Sequence, residues 1–150
     1  MNNIITRCNC LLILLLSVFI SSAYANKQPE IVFENFFIVD AAEVARSTAG
    51  YGVINNSGEV DDTLISVHSD VAAVMLHRTQ ITAGMATMTH VSNSVIKAHS
   101  ELVLAPMSYH LMFMNINPAD FSQDKQITVK FKFEKAGVIE LSIPVKHNTY

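Results

Sequence analysis

The segment Tyr109-His110-Leu111-Met112-Phe113-Met114 sets two kinds of residue in alternation. On an extended strand His110, Met112 and Met114 project to one face, and Tyr109, Leu111 and Phe113 to the other. A His and a Met two residues apart on one strand can reach a common metal ion. Met75 with His77 repeats the pair, and so does Met88 with His90. The chain holds seven methionines and six histidines, most of them between His68 and Met114. Thioether sulfur is soft and uncharged and favours Cu(I) over Zn(II) or Mg(II), and imidazole accommodates copper well. Thiolates would also bind Cu(I), but an oxidising compartment converts exposed Cys pairs to disulfides. Met and His escape that fate, although Met can still be oxidised to the sulfoxide. Against a ligand role stands the ordinary use of Met as core filler and of His as a surface residue. On that ground Met75, Met85 and Met107 read as structural, and His68, His99 and His147 as surface residues.

The elements that would carry these side chains are β throughout. Ile31-Val32-Phe33, Phe36 to Val39 and Tyr51 to Ile54 are short apolar runs, the last closed by the turn signal Asn55-Asn56-Ser57-Gly58. Thr63 to Val67, Ala73 to Thr79, Ala86 to Val91, Glu101 to Leu104 and Tyr109 to Ile116 follow at short spacing. Gln126 to Glu134 alternates, with Ile127, Val129, Phe131 and Phe133 on one face. Ala136-Gly137 turns the chain into Val138 to Val145, where Ile139, Leu141, Ile143 and Val145 share a face. Many short strands with regular turns predict an antiparallel sandwich or barrel. Ala41 to Ala45 is a weak helical candidate, and Asp61-Asp62 reads as a solvated turn.

Half of the 150 residues are hydrophobic, which suits one domain. With 10 Lys plus Arg against 13 Asp plus Glu, no basic face emerges, so nucleic acid is not an expected partner. Residues 1–25 read as a secretory signal peptide: Arg7, an apolar run from Leu11 to Ile20, then Ser21-Ser22-Ala23-Tyr24-Ala25 with Ala-x-Ala at its end. The run is too short to span a bilayer comfortably, so no stable membrane insertion is expected after cleavage. The expected mature domain is 26–150, in the periplasm. Cys8 and Cys10 leave with the signal, and with them any thiolate ligand.

The His and Met positions resemble those of the periplasmic copper chaperones of the PCuAC family. That family's site is a His, ten residues, a Met, twenty-one residues, then His-x-Met. Here His77, Met88, His110 and Met112 stand at those spacings. Tyr51 to Gly58 resembles the family's early Tyr-strand-Asn-x-Gly segment. Met107-Ser108-Tyr109-His110-Leu111-Met112 resembles its Gly-Gly-Tyr-His-Leu-Met, and Phe131 to Gly137 its closing hairpin. The resemblance covers nearly all of Ile31 to Val145. It implies a cupredoxin-like Greek-key β-sandwich and one Cu(I) held by His77, Met88, His110 and Met112; for Met114 and His90, near the site, it assigns no role. Two departures stand out. The loop Thr82-Ala83-Gly84-Met85-Ala86-Thr87 lacks the acidic residues often found there, and no methionine follows Met114, so a C-terminal Cu(II) site is not expected.

The resemblance further implies delivery of Cu(I) to an acceptor protein, such as a cytochrome oxidase subunit during oxidase assembly or another copper chaperone. The residues themselves point only to binding. Two alternatives share the sequence: a periplasmic copper buffer or tolerance protein with the same site, and a metal-free β-sandwich used as an interaction module. No nucleophile–base pair or acid–base dyad marks an enzyme. A type 1 blue-copper centre needs a Cys that the expected mature chain lacks.

Overall fold

The computed structural model describes residues 27–147. The expected signal peptide and the last three residues of the polar tail lie outside them. Ten strands run in order: β1 (Ile31–Val39), β2 (Ser47–Asn56), β3 (Asp62–His68), β4 (Ala73–Thr82), β5 (Met85–His90), β6 (Ser94–Ile96), β7 (Ser100–Leu104), β8 (Tyr109–Met114), β9 (Gln126–Phe133) and β10 (Val138–Lys146), with one 3-10 turn at Pro118–Phe121. Among the described residues no helix is long and apolar enough to cross a membrane. The spatial order is β5-β4-β8-β7-β2-β1-β10-β9-β3-β6, with β2 also paired to β8. One sheet ends in β1 and the other begins at β10. A short parallel pairing, Ile38 with Val145 and Val39 with Lys146, joins them into one curled surface. The chain crosses from one sheet to the other between β2 and β3, β3 and β4, β5 and β6, β6 and β7, and β8 and β9. This is the all-β sandwich expected from the strand pattern, with the Greek-key connections that the family resemblance implies.

The core lies between the sheets. Ile127, Val129, Phe131 and Phe133 of β9 are all buried, as period-two alternation requires, and they face Ile38, Ile54, Leu111 and Phe113. Gly52 lets Phe36 approach β2, because a Cβ there would stand 2.5 Å from the Phe36 ring. The two apolar runs of the N-terminal segment form one strand. A register shift between Glu34 and Phe37, with Asn35 at φ 53°, bulges β1 and turns Phe36 inward.

Three local readings are corrected, and one strand that the sequence did not reveal is added. Ala41 to Ala45 is a turn closed by Ala45 N–H donating to Ala42 O at 2.8 Å, not a helix. Asp62 is fully buried rather than solvated, and its carboxylate accepts from the backbone N–H groups of Thr63, Lys135 and Ala136 at 2.7–2.9 Å. β6 is a three-residue strand, too short for any sequence period. Met75, Met85 and Met107 are exposed, so none fills the core. Asn55 and Asn56 still belong to β2, paired with β1 and β7, and the chain bends just after them, at residues 58–60, rather than over Asn55–Gly58. Buried Asn56 accepts from Glu30 N–H and Gly58 N–H and donates to Val60 O and Ile96 O, which satisfies its whole amide.

Candidate metal centre

Strands β4, β5 and β8 lie side by side, and their register decides which side chains meet. His77 of β4 stands opposite His90 of β5 on one side and opposite His110 of β8 on the other. One step along, Thr79 is opposite Met88. One step the other way, Met75 is opposite Met112, which also faces Ala49 of β2. Side chains alternate across a strand, so these residues share one face. It is the outer face, since Val74, Leu76, Leu111 and Phe113 occupy the intervening positions and are buried in the core.

The β4–β5 hairpin turns through Ala83 (φ 50°) and Gly84 (φ 80°) between paired Thr82 and Met85. Two positive-φ residues make the tight turn whose twist suits a hairpin. That turn sets the register that puts Met88 diagonally across from His77.

A cleft of about 240 Å³ opens on this face, lined in part by Tyr51, Thr79, Met88, Met107, His110 and Met112. Three of the four expected ligands therefore line one cavity. His77 lies beside it, its ring centroid 5.9 Å from that of His110. Two imidazoles on one metal, each about 2.0 Å from it through nitrogen, bring their centroids to roughly 5–6 Å apart. The spacing of His77 and His110 suits a shared ion.

His110 is only 5% exposed. Its Nδ1 is 3.2 Å from Ser108 O, and a carbonyl can only accept, so Nδ1 carries the proton. In the neutral ring Nε2 then keeps its lone pair, the arrangement that orients a metal-binding imidazole. His77 is half-buried, and its Nδ1 is enclosed with no hydrogen-bond partner, alone in this among the described side chains. A buried unpaired donor or acceptor costs about 1–3 kcal/mol, so it calls for an explanation such as a bound ion. Desolvation first, then the neighbouring His110 and His90, lowers the His77 pKa below its ordinary value. The neutral imidazole thus favoured is the form that binds a metal. Among the described residues no three His, Cys, Asp or Glu side chains converge into a metal cluster.

Met88 is 60% exposed on the edge strand, and Met112 is half-buried beside His110. Met107, read from sequence as structural, lines the same cleft. Its Met-x-x-His110 spacing was the available signal, but a residue between strands carries no period to flag it. His68, His99 and His147 are surface residues as expected, each beside a carboxylate: Asp70 at 3.1 Å, Glu59 at 3.2 Å and Asp40 at 2.9 Å.

A family model described as LpqE-like, a lipoprotein family by that description, matches residues 21–145. No curated protein matches the chain. Several solved structures share its fold. The apo PCuAC domain from PmoF1 is 15% identical with a TM-score of 0.64, over 79% of this chain and 94% of that one. The copper-bound PCuAC domain from PmoF2 is 22% identical with a TM-score of 0.60, over 79% and 93%. The solution structure of CuI-DR1885 from Deinococcus radiodurans is 23% identical with a TM-score of 0.62, over 85% of each. At such identities the likeness establishes a common cupredoxin-like fold.

Proposed function

This chain belongs to the LpqE-like family, and from that premise we propose that it is a periplasmic copper chaperone and not an enzyme. It holds one Cu(I) through His77, Met88, His110 and Met112 and passes it to an acceptor protein. The observation that carries this reading is the register of β4 against β8. It places His77 opposite His110, with Met112 two residues along β8 and Met88 diagonal on β5. The copper-bound state of structural neighbours supports the choice of metal. The donor set supports it independently, since two uncharged thioethers favour soft Cu(I) and lack the strong bonds of thiolates that would slow release. Met88 stands on the exposed edge strand, where an incoming acceptor ligand could displace it first. The export implied by the signal-like leader agrees with the lipoprotein description of the family, and cytochrome oxidase assembly is the delivery route we favour.

The test is a Cu(I) titration of the mature domain with X-ray absorption on the loaded form. One copper per domain with both sulfur and nitrogen neighbours is the expected result. A spectrum showing only nitrogen and oxygen removes both methionines from the site. Gene deletion separates delivery from buffering: oxidase activity at low copper falls in the first case, and copper resistance falls in the second.

A further inference from the structure

We propose that Met107 is a third thioether donor of the cleft, one that takes the place of Met88 on Cu(I). This rests on the copper-binding reading above and adds to the site a residue that the His and Met spacing does not include. Met107 lines the same cleft as Met88, His110 and Met112. At about 240 Å³ that cleft is small beside ordinary ligand pockets of roughly 300–1,000 Å³. Methionine has three rotatable bonds with which to move its sulfur across so short a span. Met107 and Met88 are 59% and 60% exposed, at the mouth of the cleft, whereas Met112 is half-buried beside His110. Met75, though opposite Met112, opens onto a separate cleft between β3 and β4, where His90 also lies.

The backbone supplies a second reason. Ala105-Pro106-Met107-Ser108 is a β-turn closed by Ser108 N–H donating to Ala105 O at 3.1 Å. Pro106 at its second position and Met107 at its third, with φ 62°, make it a type II turn, whose third position calls for Gly or Asn. Among the described non-glycine residues with positive φ, Met107 alone carries a long apolar side chain; the others are Asn, Asp, His or Ala. A side chain that opposes its own turn and fills no core is explained by what its end can reach. The turn is also pinned to the site. Ser108 O accepts from Thr79 N–H at 3.0 Å and from His110 Nδ1 at 3.2 Å, so the segment that carries Met107 orients a ligand as well. An ion held by four donors admits Met107 only in exchange for one of them. Met88, exposed on the edge strand, is the donor most easily displaced. The exchange keeps two thioethers and two imidazoles for Cu(I) while Met88 is away.

The experiment compares the mature wild-type protein with Met88→Ala, Met107→Leu and the double variant. Leucine keeps the apolar surface and the strained turn and removes only the sulfur. Each protein is loaded with Cu(I) anaerobically; X-ray absorption counts the sulfur neighbours, and a chromophoric chelator reads the affinity. Two sulfurs are expected in the wild type and in Met88→Ala, and one in the double variant. Met107→Leu should lower affinity less than about threefold in the wild-type background but at least about tenfold in the Met88→Ala background, the non-additivity of two donors that serve one position. Met107→Gly, which the turn itself favours, should match Met107→Leu in both backgrounds. One sulfur in Met88→Ala overturns the role of Met107 and leaves the Cu(I) centre standing. So does a double variant that keeps the sulfur count or the affinity of Met88→Ala. A wild-type protein that binds no Cu(I), or binds it without sulfur, overturns the centre and the role of Met107 together.

Discussion

Replacing His77 by leucine should make the copper-free domain more stable while destroying the copper centre. The Nδ1 of His77 is enclosed and unpaired. Leaving such a group unsatisfied costs about 1–3 kcal/mol. Because the rest of the ring is half-buried, the lower end applies, about 1 kcal/mol. Leucine is similar in size and carries no polar atom, so the His77→Leu side chain recovers that cost beside Met75 and His110. For a domain of this length the gain corresponds to about 3–5 °C in Tm. Cu(I) affinity should fall by more than about 100-fold, the upper end of what disturbing even an outer-shell partner costs. Acidity sharpens the contrast. The folded-state pKa of His77 is lowered, chiefly by desolvation and then by His110 and His90, so the unfolded chain binds the proton more readily. The contribution of the neutral ring to stability is complete above the ordinary His pKa of about 6.5 and is lost as pH falls from there to the lowered folded value. The stability gap between His77→Leu and the wild type should therefore widen as pH drops below neutrality. The assay is urea denaturation of the chelator-stripped domain at neutral and mildly acidic pH, paired with a Cu(I) competition titration. A variant less stable than wild type by about 1 kcal/mol or more, with Cu(I) affinity within about twofold, would refute the reasoning and make His77 a packing residue.

Three other outcomes follow from the same geometry. Cu(I) affinity should fall with pH, approaching about two protons taken up per copper released, because two imidazoles must be neutral and thioethers do not titrate; Met88→Ala should lower affinity at every pH and leave the slope alone, and a flat profile through the imidazole range would exclude both histidines. Met112→Ala should weaken Cu(I) at a stability cost below the roughly 2–5 kcal/mol of a large-to-small core substitution, since Met112 lies on the outer face; an unfolded variant would assign it to the core. Asn56→Ala should cost about 2–3 kcal/mol in urea denaturation, because it leaves Glu30 N–H, Gly58 N–H, Val60 O and Ile96 O without their side-chain partner; a loss under about 0.5 kcal/mol would mean water replaces the amide freely.

What could be read along the chain is what the pleat dictates locally. The alternation in Gln126–Phe133 decided which side chains of β9 enter the core, and the alternation in Tyr109–Met114 put His110 and Met112 on the face away from Leu111 and Phe113. The end of β2 was legible to within a few residues from Asn55-Asn56-Ser57-Gly58, because chain-reversing chemistry sits in the residues near the bend, although both asparagines still pair in the ladder. The spacing of His77, Met88, His110 and Met112 named the candidate ligands through family resemblance, although nothing in the spacing itself brings His77 near His110. That meeting depends on β4 pairing with β8, strands separated by β5, β6 and β7, and on a register set by core packing beneath, while the Ala83-Gly84 turn sets only the register of β5 against β4. A shift of one residue would have turned His77 inward. The β4–β5 hairpin placed His90 opposite His77, and tertiary enclosure left His77 Nδ1 without a partner. It was tertiary enclosure as well that drew Asp62 out of an apparent surface turn to bind the backbone of Lys135 and Ala136. Side-chain direction is a property of a few neighbouring residues, so a sequence carries it openly. Which strands lie together, and in what register, is settled by burial summed over the whole sandwich, and only the folded chain contains that sum.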